Sequence, residues 1–257
     1  MNHLQDKHIL LTRTEAQNKT TAKLVSKVGA MPVLFPCASI QILTENIQHA
    51  WQILSQLPTK NTDIIFSSRN GVEAVAQTVP KLAETLAKYR VIAVGEKTAQ
   101  SLQERDIQPN WQPQIASQQG LIQDYPSHEL PKYILFFRAK AGSDDLLNFL
   151  EQHGVHTKLC LAYDTLIQTE AQPQVLQQLK QGHIDAVLLG SARTAEFYAK
   201  KIQSTPNKAR PVVAVMSQQV RKAADKLGLN VQVVASEPSF HAMLQGLNDY
   251  FEQHDKG

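Results

Sequence analysis

The chain has 257 residues, 42% of them hydrophobic, enough for packed cores in one large domain or two of ordinary size. Its net charge of +3 comes from 26 basic and 23 acidic residues scattered among one another, so it has no basic stripe for nucleic acid, while an anionic small ligand is compatible. Cys37 and Cys160 lack disulfide-framework or metal-ligand spacing, the polar start MNHLQDKHILLTRTE is unlike a signal peptide, and no stretch reaches the length of a membrane span. A cytoplasmic protein that contacts neither membrane nor nucleic acid is expected.

The first apolar run, HILL from His8, leads into Thr12-Arg13-Thr14-Glu15 and an amphipathic stretch ending at Gly29, the pattern of strand, polar loop and helix. MPVLFPCASIQIL, Met31 to Leu43, reads as extended and partly alternating. DIIFSSRNGVEAVAQ from Asp63 repeats the strand, loop and helix with Ser67-Ser68-Arg69-Asn70-Gly71 as its loop, and VIAVGEKTAQSL from Val91 repeats them with Gly95-Glu96-Lys97-Thr98. The second half runs alike: YILFFRAKAG from Tyr133 with a loop from Arg138 to Asp145, an extended TKLCLAYDTLIQ (Thr157 to Gln168), DAVLLGSARTAEFYAK from Asp185, and VVAVMSQQVRKAADKLGL from Val212. Alternation of this kind implies an α/β fold with mainly parallel sheets flanked by helices.

Laid over each other, the halves agree. Arg13 falls on Arg138 and Gly29 on Gly154 at an offset of 125, Asp63 on Asp185 at 122, Val91 on Val212 at 121, and Ser117 on Ser239 at 122. Matches in one order at nearly constant spacing predict a duplication, two similar flavodoxin-like lobes facing each other across a cleft. The two extended segments follow equivalent helices, so a natural arrangement pairs them as a two-stranded ribbon through which the chain leaves one lobe and returns. That places lobe one at 1–36 with 168–257, lobe two at 40–162, and the ribbon at 32–43 and 158–168. Sequential lobes of 1–125 and 126–257 are the alternative.

In an open parallel sheet the loops at the carboxyl ends of the strands feed helix N-termini, where unpaired N–H groups and the helix dipole favour anions. Those loops supply the candidate ligand contacts: Thr12, Arg13, Ser67, Ser68, Asn70, Gly95, Lys97, Thr98, Arg138, Lys140, Gly142, Ser191, Ser217 and Gln218. Ser, Thr and Asn at such points also serve as ordinary helix caps that need no ligand. No GxGxxG, GxxxxGK[ST] or GxSxG is present, and the nine histidines form no HExxH-like spacing, so nucleotide-cofactor, nucleophilic-hydrolase and metal chemistry lose their usual supports.

Together these loops resemble those of the uroporphyrinogen-III synthase family, over nearly the whole chain. The matching segments are ILLTR with Gly29, IIFSSRNGV, VIAVGEKTAQSL, ILFFRAKAGSDDLLNFL, LAYDT and EPSFHAML. Ala139, Ser143 or Asp144, Leu189-Gly190-Ser191 and Met216 to Val220 depart from the family pattern. The resemblance implies two α/β lobes joined by a ribbon, with the N-terminal segment belonging to the C-terminal lobe. It further implies a monomeric, cofactor-free lyase that cyclises hydroxymethylbilane, a polycarboxylate handed over from hydroxymethylbilane synthase, with loss of water and inversion of the last pyrrole ring through a spiro intermediate. By the same resemblance Tyr163 takes the place of the tyrosine that hydrogen-bonds the departing hydroxyl. A non-catalytic two-lobed binder of an anionic metabolite is the alternative that the same loops would serve.

Overall fold

A computed structural model of the chain describes residues 2–125, 130–168, 172–203 and 210–254. Its strands are β1 (His8–Leu11), β2 (Met31–Leu34), β3 (Ala38–Ile42), β4 (Thr62–Phe66), β5 (Arg90–Ala93), β6 (Tyr133–Ala139), β7 (His156–Ile167), β8 (Ala186–Leu189), β9 (Val212–Val215) and β10 (Val231–Val234). The helices are α1 (Glu15–Lys27), α2 (Thr44–Leu54), α3 (Arg69–Thr78), α4 (Leu82–Leu86), α5 (Glu96–Gln103), α6 (Gln118–Asp124), α7 (Asp145–Gln152), α8 (Pro173–Lys180), α9 (Ala192–Lys201), α10 (Gln218–Lys226) and α11 (Phe240–His254). They form two compact units, Met1–Ser39 with Leu166–Gly257, and Ile40–Thr165.

In the first unit the sheet order is β2-β1-β8-β9-β10, with every neighbouring pair parallel. Numbered within the unit this is 2-1-3-4-5, the flavodoxin-like order. Helices cover both faces, so the central strands are continuous runs of Val, Leu, Ile and Ala instead of alternating polar ones. Leu10, Val187, Leu189 and Val213 point to a core that includes Phe197 and Tyr198, while Ile9, Leu11 and Leu188 pack against Met243, Leu244, Leu247 and Phe251 of α11.

The second unit has the order β3-β7-β6-β4-β5, parallel from β7 through β5. Ile64, Phe66, Leu135 and Phe137 face one core, where the Phe66 and Phe137 rings stack at 5.0 Å; Ile65, Ile92, Ile134 and Phe136 face the other. Beyond β5 a single parallel bridge, Ile92 to Trp111, stands where β10 stands in the first unit. The order β7-β6-β4-β5-Trp111 thus repeats β2-β1-β8-β9-β10. In each of these orders the first two strands named come from one repeat and the others from the other repeat.

The predicted extended segments each divide in two. Met31–Leu34 lies in the first sheet against β1, whereas Ala38–Ile42 runs beside the second half of β7. Between them stands Pro36, which has no N–H to donate to a ladder and so separates the two strands. The Leu43 N–H donates to Ala162 O at 3.0 Å and the Gln168 N–H to Cys37 O at 2.9 Å, so the partner number falls as the chain advances and the pairing is antiparallel. The two-stranded piece is therefore shorter than 32–43 with 158–168, because the first half of each segment is taken up by its own parallel sheet.

Candidate active site

β4, β6 and β7 bring the polar loops of the second unit to one sheet edge. Just past β4, the backbone N–H and Oγ of Ser67 both donate to Phe137 O, at 3.1 and 3.2 Å. Ser68 caps α3: its Oγ accepts the Gly71 N–H at 3.1 Å and lies 2.9 Å from the Tyr163 hydroxyl. Tyr163 is aimed there by a bulge in β7. Arg138 pairs with Leu161 but Ala139 pairs with Tyr163, so Ala162 is the extra residue and the alternation of faces breaks. Accordingly Ala162 and Tyr163, neighbours in sequence, both join the core that holds Phe66 and Phe137. Gly71 sits beside this pair; a Cβ there would lie 3.4 Å from Ser68 Oγ and 4.0 Å from Tyr163 Cε1. Asn70 is half-buried in the first turn of α3.

Arg138 departs from the expectation of a ligand contact. The residue is 5% exposed, and its guanidinium curls back on its own loop, with Nη1 donating to Ala139 O at 3.1 Å and Lys140 O at 3.4 Å while Nη2 pairs with Asp144. Its Nε has no hydrogen-bond partner among the described residues. Gly142 is required by this packing: a Cβ would fall 2.4 Å from Arg138 Nη1 and 2.9 Å from its Cδ. The arginine thus shapes the loop from inside, and Lys140 is the cation that the loop displays. Its Nζ is 3.5 Å from Asp164 Oδ2, and its N–H donates to Tyr163 O at 2.8 Å, tying the loop to the strand that carries the tyrosine.

At the end of β5, Gly95 begins α5 without a side-chain cap; Lys97 is exposed, and Thr98 is buried with its N–H bonded to Gly95 O at 2.9 Å. Since β4 and β5 are neighbours, the N-termini of α3 and α5 emerge side by side. Glu73 of α3 ties that helix to the C-terminal end of α5 by pairing at 2.5 Å with Arg105, which also donates to Ser101 O at 2.7 Å. These clamp residues carry no motif signal and were missed in the sequence.

The equivalent edge of the first unit is built differently. Thr12 is fully buried and its Oγ1 donates to Leu188 O at 2.8 Å, stitching β1 to β8, so its hydroxyl is spent on the fold and not offered to a ligand. The Arg13 loop is set by Asn18, buried in α1, which accepts the Arg13 N–H at 3.0 Å and donates to Leu11 O at 2.9 Å. Arg13 lies 5.2 Å over the Phe240 ring, and burial lowers the pKa of its guanidinium. Gly190 leaves room for this stack: a Cβ would be 3.1 Å from Phe240 Cζ, 3.7 Å from Met216 Cε and 3.9 Å from Arg13 Cδ. Phe240 and Met216 were not among the sequence candidates; the signal for Phe240 was its place directly after Ser239, the counterpart of the cap Ser117. Ser191 and Ser217 cap α9 and α10, accepting Thr194 N–H at 3.1 Å and Val220 N–H at 3.4 Å, and Gln218 is exposed in the first turn of α10.

Away from these edges, Asp63 at the start of β4 is buried, accepts the Tyr125 hydroxyl and lies 3.8 Å from Arg90 Nε; burial pushes its pKa above the ordinary carboxylate value, opposed by Tyr125 and Arg90. Both cysteines are free and buried, their thiols pushed up to about 12 by desolvation, which makes them poor nucleophiles. Among the described residues no group of three or more His, Cys, Asp or Glu is placed to hold a metal ion, and no helix is long and apolar enough to cross a membrane.

Residues 19–245 match the family described as "Uroporphyrinogen-III synthase HemD". The "Porphyrin biosynthesis protein HemD" of Ruminiclostridium josui is 23% identical over 248 residues, which cover 93% of this chain but 47% of that protein, so the chain spans about half its length. The "Uroporphyrinogen-III synthase" of Synechococcus elongatus is 22% identical over 259 residues, 96% of each chain. Among solved structures, a mutant uroporphyrinogen III synthase from Thermus thermophilus matches with a TM-score of 0.61 at 19% identity, over 96% of this chain and 99% of that one. The uroporphyrinogen-III synthetase of Helicobacter pylori also gives 0.61, at 15% identity over 95% and 99%. At such identities the structures establish the fold.

Proposed function

Because the chain belongs to the uroporphyrinogen-III synthase family, we infer that it cyclises hydroxymethylbilane to uroporphyrinogen III, losing water and inverting the last pyrrole ring through a spiro intermediate. The observation that carries this reading is the Tyr163 hydroxyl 2.9 Å from Ser68 Oγ, at the N-terminus of α3. Such a phenol suits a leaving group that must depart as water. The hydroxymethyl C–O bond breaks with its electron pair going to oxygen, the tyrosine proton completes the water, and the pyrrole nitrogen stabilises the cation left behind. Attack by the substituted carbon of the last ring, fragmentation and reclosure follow, and the proton released on rearomatisation returns to the phenolate. Because the substrate supplies its own electron-rich rings, positioning carries much of the remaining work.

Every pyrrole bears two carboxylates, which suit the exposed Lys97 and Lys140, the half-buried Arg13 and the N–H groups opening α3, α5, α9 and α10. In this reading no cofactor takes part, and a cytoplasmic monomer receives its substrate from hydroxymethylbilane synthase. The test is to supply freshly made hydroxymethylbilane, oxidise the products and separate the isomers. Isomer III above the spontaneous background is expected, and Tyr163→Phe should lower its rate of formation about 10- to 100-fold, the value of one strong hydrogen bond at a reacting group. Formation of isomer I alone at the uncatalysed rate would leave the non-catalytic binder of an anionic metabolite. That second reading draws on the number of candidate hydroxyls already committed as caps.

A further inference from the structure

Ser68 has two lone pairs and one proton, and the surroundings constrain how they are used. One lone pair receives the Gly71 N–H at 3.1 Å, and Tyr163 Oη stands 2.9 Å away. If the phenol donated to Ser68, the serine proton would need a different acceptor, and among the described residues Ser68 Oγ has no other partner. If Ser68 donates to the phenol oxygen, the phenol proton is instead the one with no other partner among the described residues, so each direction leaves one hydroxyl proton for a ligand and the helix decides between them. The helix favours this second arrangement. The Gly71 N–H and the positive end of α3 withdraw charge from Ser68 Oγ, which makes the serine a stronger donor and stabilises negative charge on the tyrosine oxygen beyond it.

We propose that Ser68 is a positioning residue for the cyclisation: it donates its hydroxyl proton to Tyr163 Oη, turns the phenol proton toward the departing hydroxyl of the substrate, and holds the phenolate that remains. This rests on the reading of Tyr163 given above. The relay runs Gly71 N–H to Ser68 Oγ–H to Tyr163 Oη–H, and the last proton alone is transferred. When rearomatisation returns a proton to the phenolate, the Ser68 bond again fixes the direction in which it points. The β7 bulge brings the tyrosine to the serine, and the Lys140 N–H bond to Tyr163 O holds the strand at that position.

Aspartate separates the two duties of Ser68, because it caps a helix as well as serine does but its carboxylate only accepts, and so captures the phenol proton. Single-turnover rates on hydroxymethylbilane and melting temperatures should be measured for Tyr163→Phe, Ser68→Asp, Ser68→Ala, Ser68→Thr and the double variant Tyr163→Phe with Ser68→Asp. Ser68→Asp should melt near the wild type yet lose turnover as far as Tyr163→Phe does, roughly 10- to 100-fold. Ser68→Thr should recover most of what Ser68→Ala loses, and the double variant should be no slower than Tyr163→Phe alone, as for residues that act as a unit. Full turnover in Ser68→Asp, or multiplying losses in the double variant, would reduce Ser68 to a helix cap while leaving the tyrosine reading intact. Full turnover in Tyr163→Phe would instead overturn the tyrosine reading, and the relay with it.

Discussion

In the unit of Ile40–Thr165 the carboxyl ends of the strands carry a hydrogen-bond chain, from the Gly71 N–H to the hydroxyls of Ser68 and Tyr163, beside a loop that a buried arginine holds from within. In the unit of Met1–Ser39 with Leu166–Gly257 the equivalent ends carry a half-buried arginine on an aromatic ring, with Met216 and Gly190 beneath it. Both edges descend from the same repeat, and Arg13 and Arg138 are its corresponding residues. One cation is stacked on an aromatic ring and the other is bound into its own loop. Equivalent position on a duplicated scaffold therefore does not imply an equivalent role. What decides is whether the surrounding backbone supplies acceptors: Arg138 has Ala139 O, Lys140 O and Asp144, while among the described residues Arg13 has no ion-pair partner.

Substituting both arginines gives the largest expected separation between the edges. Arg138→Ala should cost about 2–3 kcal/mol, since it removes a buried cation with several hydrogen bonds but leaves Asp144 able to reach water. Arg13→Ala should leave the melting temperature nearly unchanged and raise KM about tenfold, the loss of one charged contact, with a difference that shrinks at high salt. Thermal denaturation and kinetics at two ionic strengths would read both; a stable Arg138→Ala with a salt-dependent KM would reverse the assignment. A smaller separation is expected for the glycines. Gly142→Ala must displace the pinned guanidinium and should cost about 1–2 kcal/mol, whereas Gly190→Ala asks the Phe240 ring to give by a few tenths of an ångström and should cost less than about 1 kcal/mol. Equal melting temperatures for the pair would mean that the Arg138 loop yields freely.

Asp63 and Asp185, again equivalent in the repeat, provide the smallest effect. Asp185 sits a third exposed and accepts the His8 N–H at 2.7 Å, while Asp63 is buried against Tyr125. A carboxyl pKa raised by burial means that the folded chain keeps a proton the unfolded chain would release. Its stabilising contribution is therefore full below about pH 4 and declines as pH rises through the folded value. Asn at position 63 has no such decline, so the melting-temperature difference between Asp63→Asn and wild type should move in the variant's favour from about pH 4 to pH 7. A shift in the opposite direction would mean that Arg90 outweighs desolvation.

The repeat, the α/β class and the polar loops were legible because each is local: a strand announces itself by Val, Ile and Leu, a helix start by Ser or Gly, a helix end by a glycine such as Gly29 or Gly154, both at positive φ. The roles inside those loops were less legible. Thr12 and Arg138 have the residue types of an anion site, but the threonine's partner, Leu188, lies far off in the sequence and depends on which strands become neighbours, while the arginine's partners, Ala139, Lys140 and Asp144, are close in sequence and meet it only through the fold of its own loop. Arg105 and Asn18 follow no spacing rule at all.

By itself, the sequence determined the two copies of the strand-loop-helix pattern and the hydroxyl-rich strand ends, since periodicity and capping depend on residues a few positions apart. Only the tertiary structure decided how the copies are shared between the units, with each sheet taking two strands from one repeat and the rest from the other. It also decided that Tyr163 meets Ser68 across 95 residues of chain, because a one-residue bulge in β7 sets which face the ring takes. Burial and pairing are properties of neighbours in space, and they turned two arginines at corresponding positions of the repeat into a half-buried cation stacked on Phe240 and an internal strut.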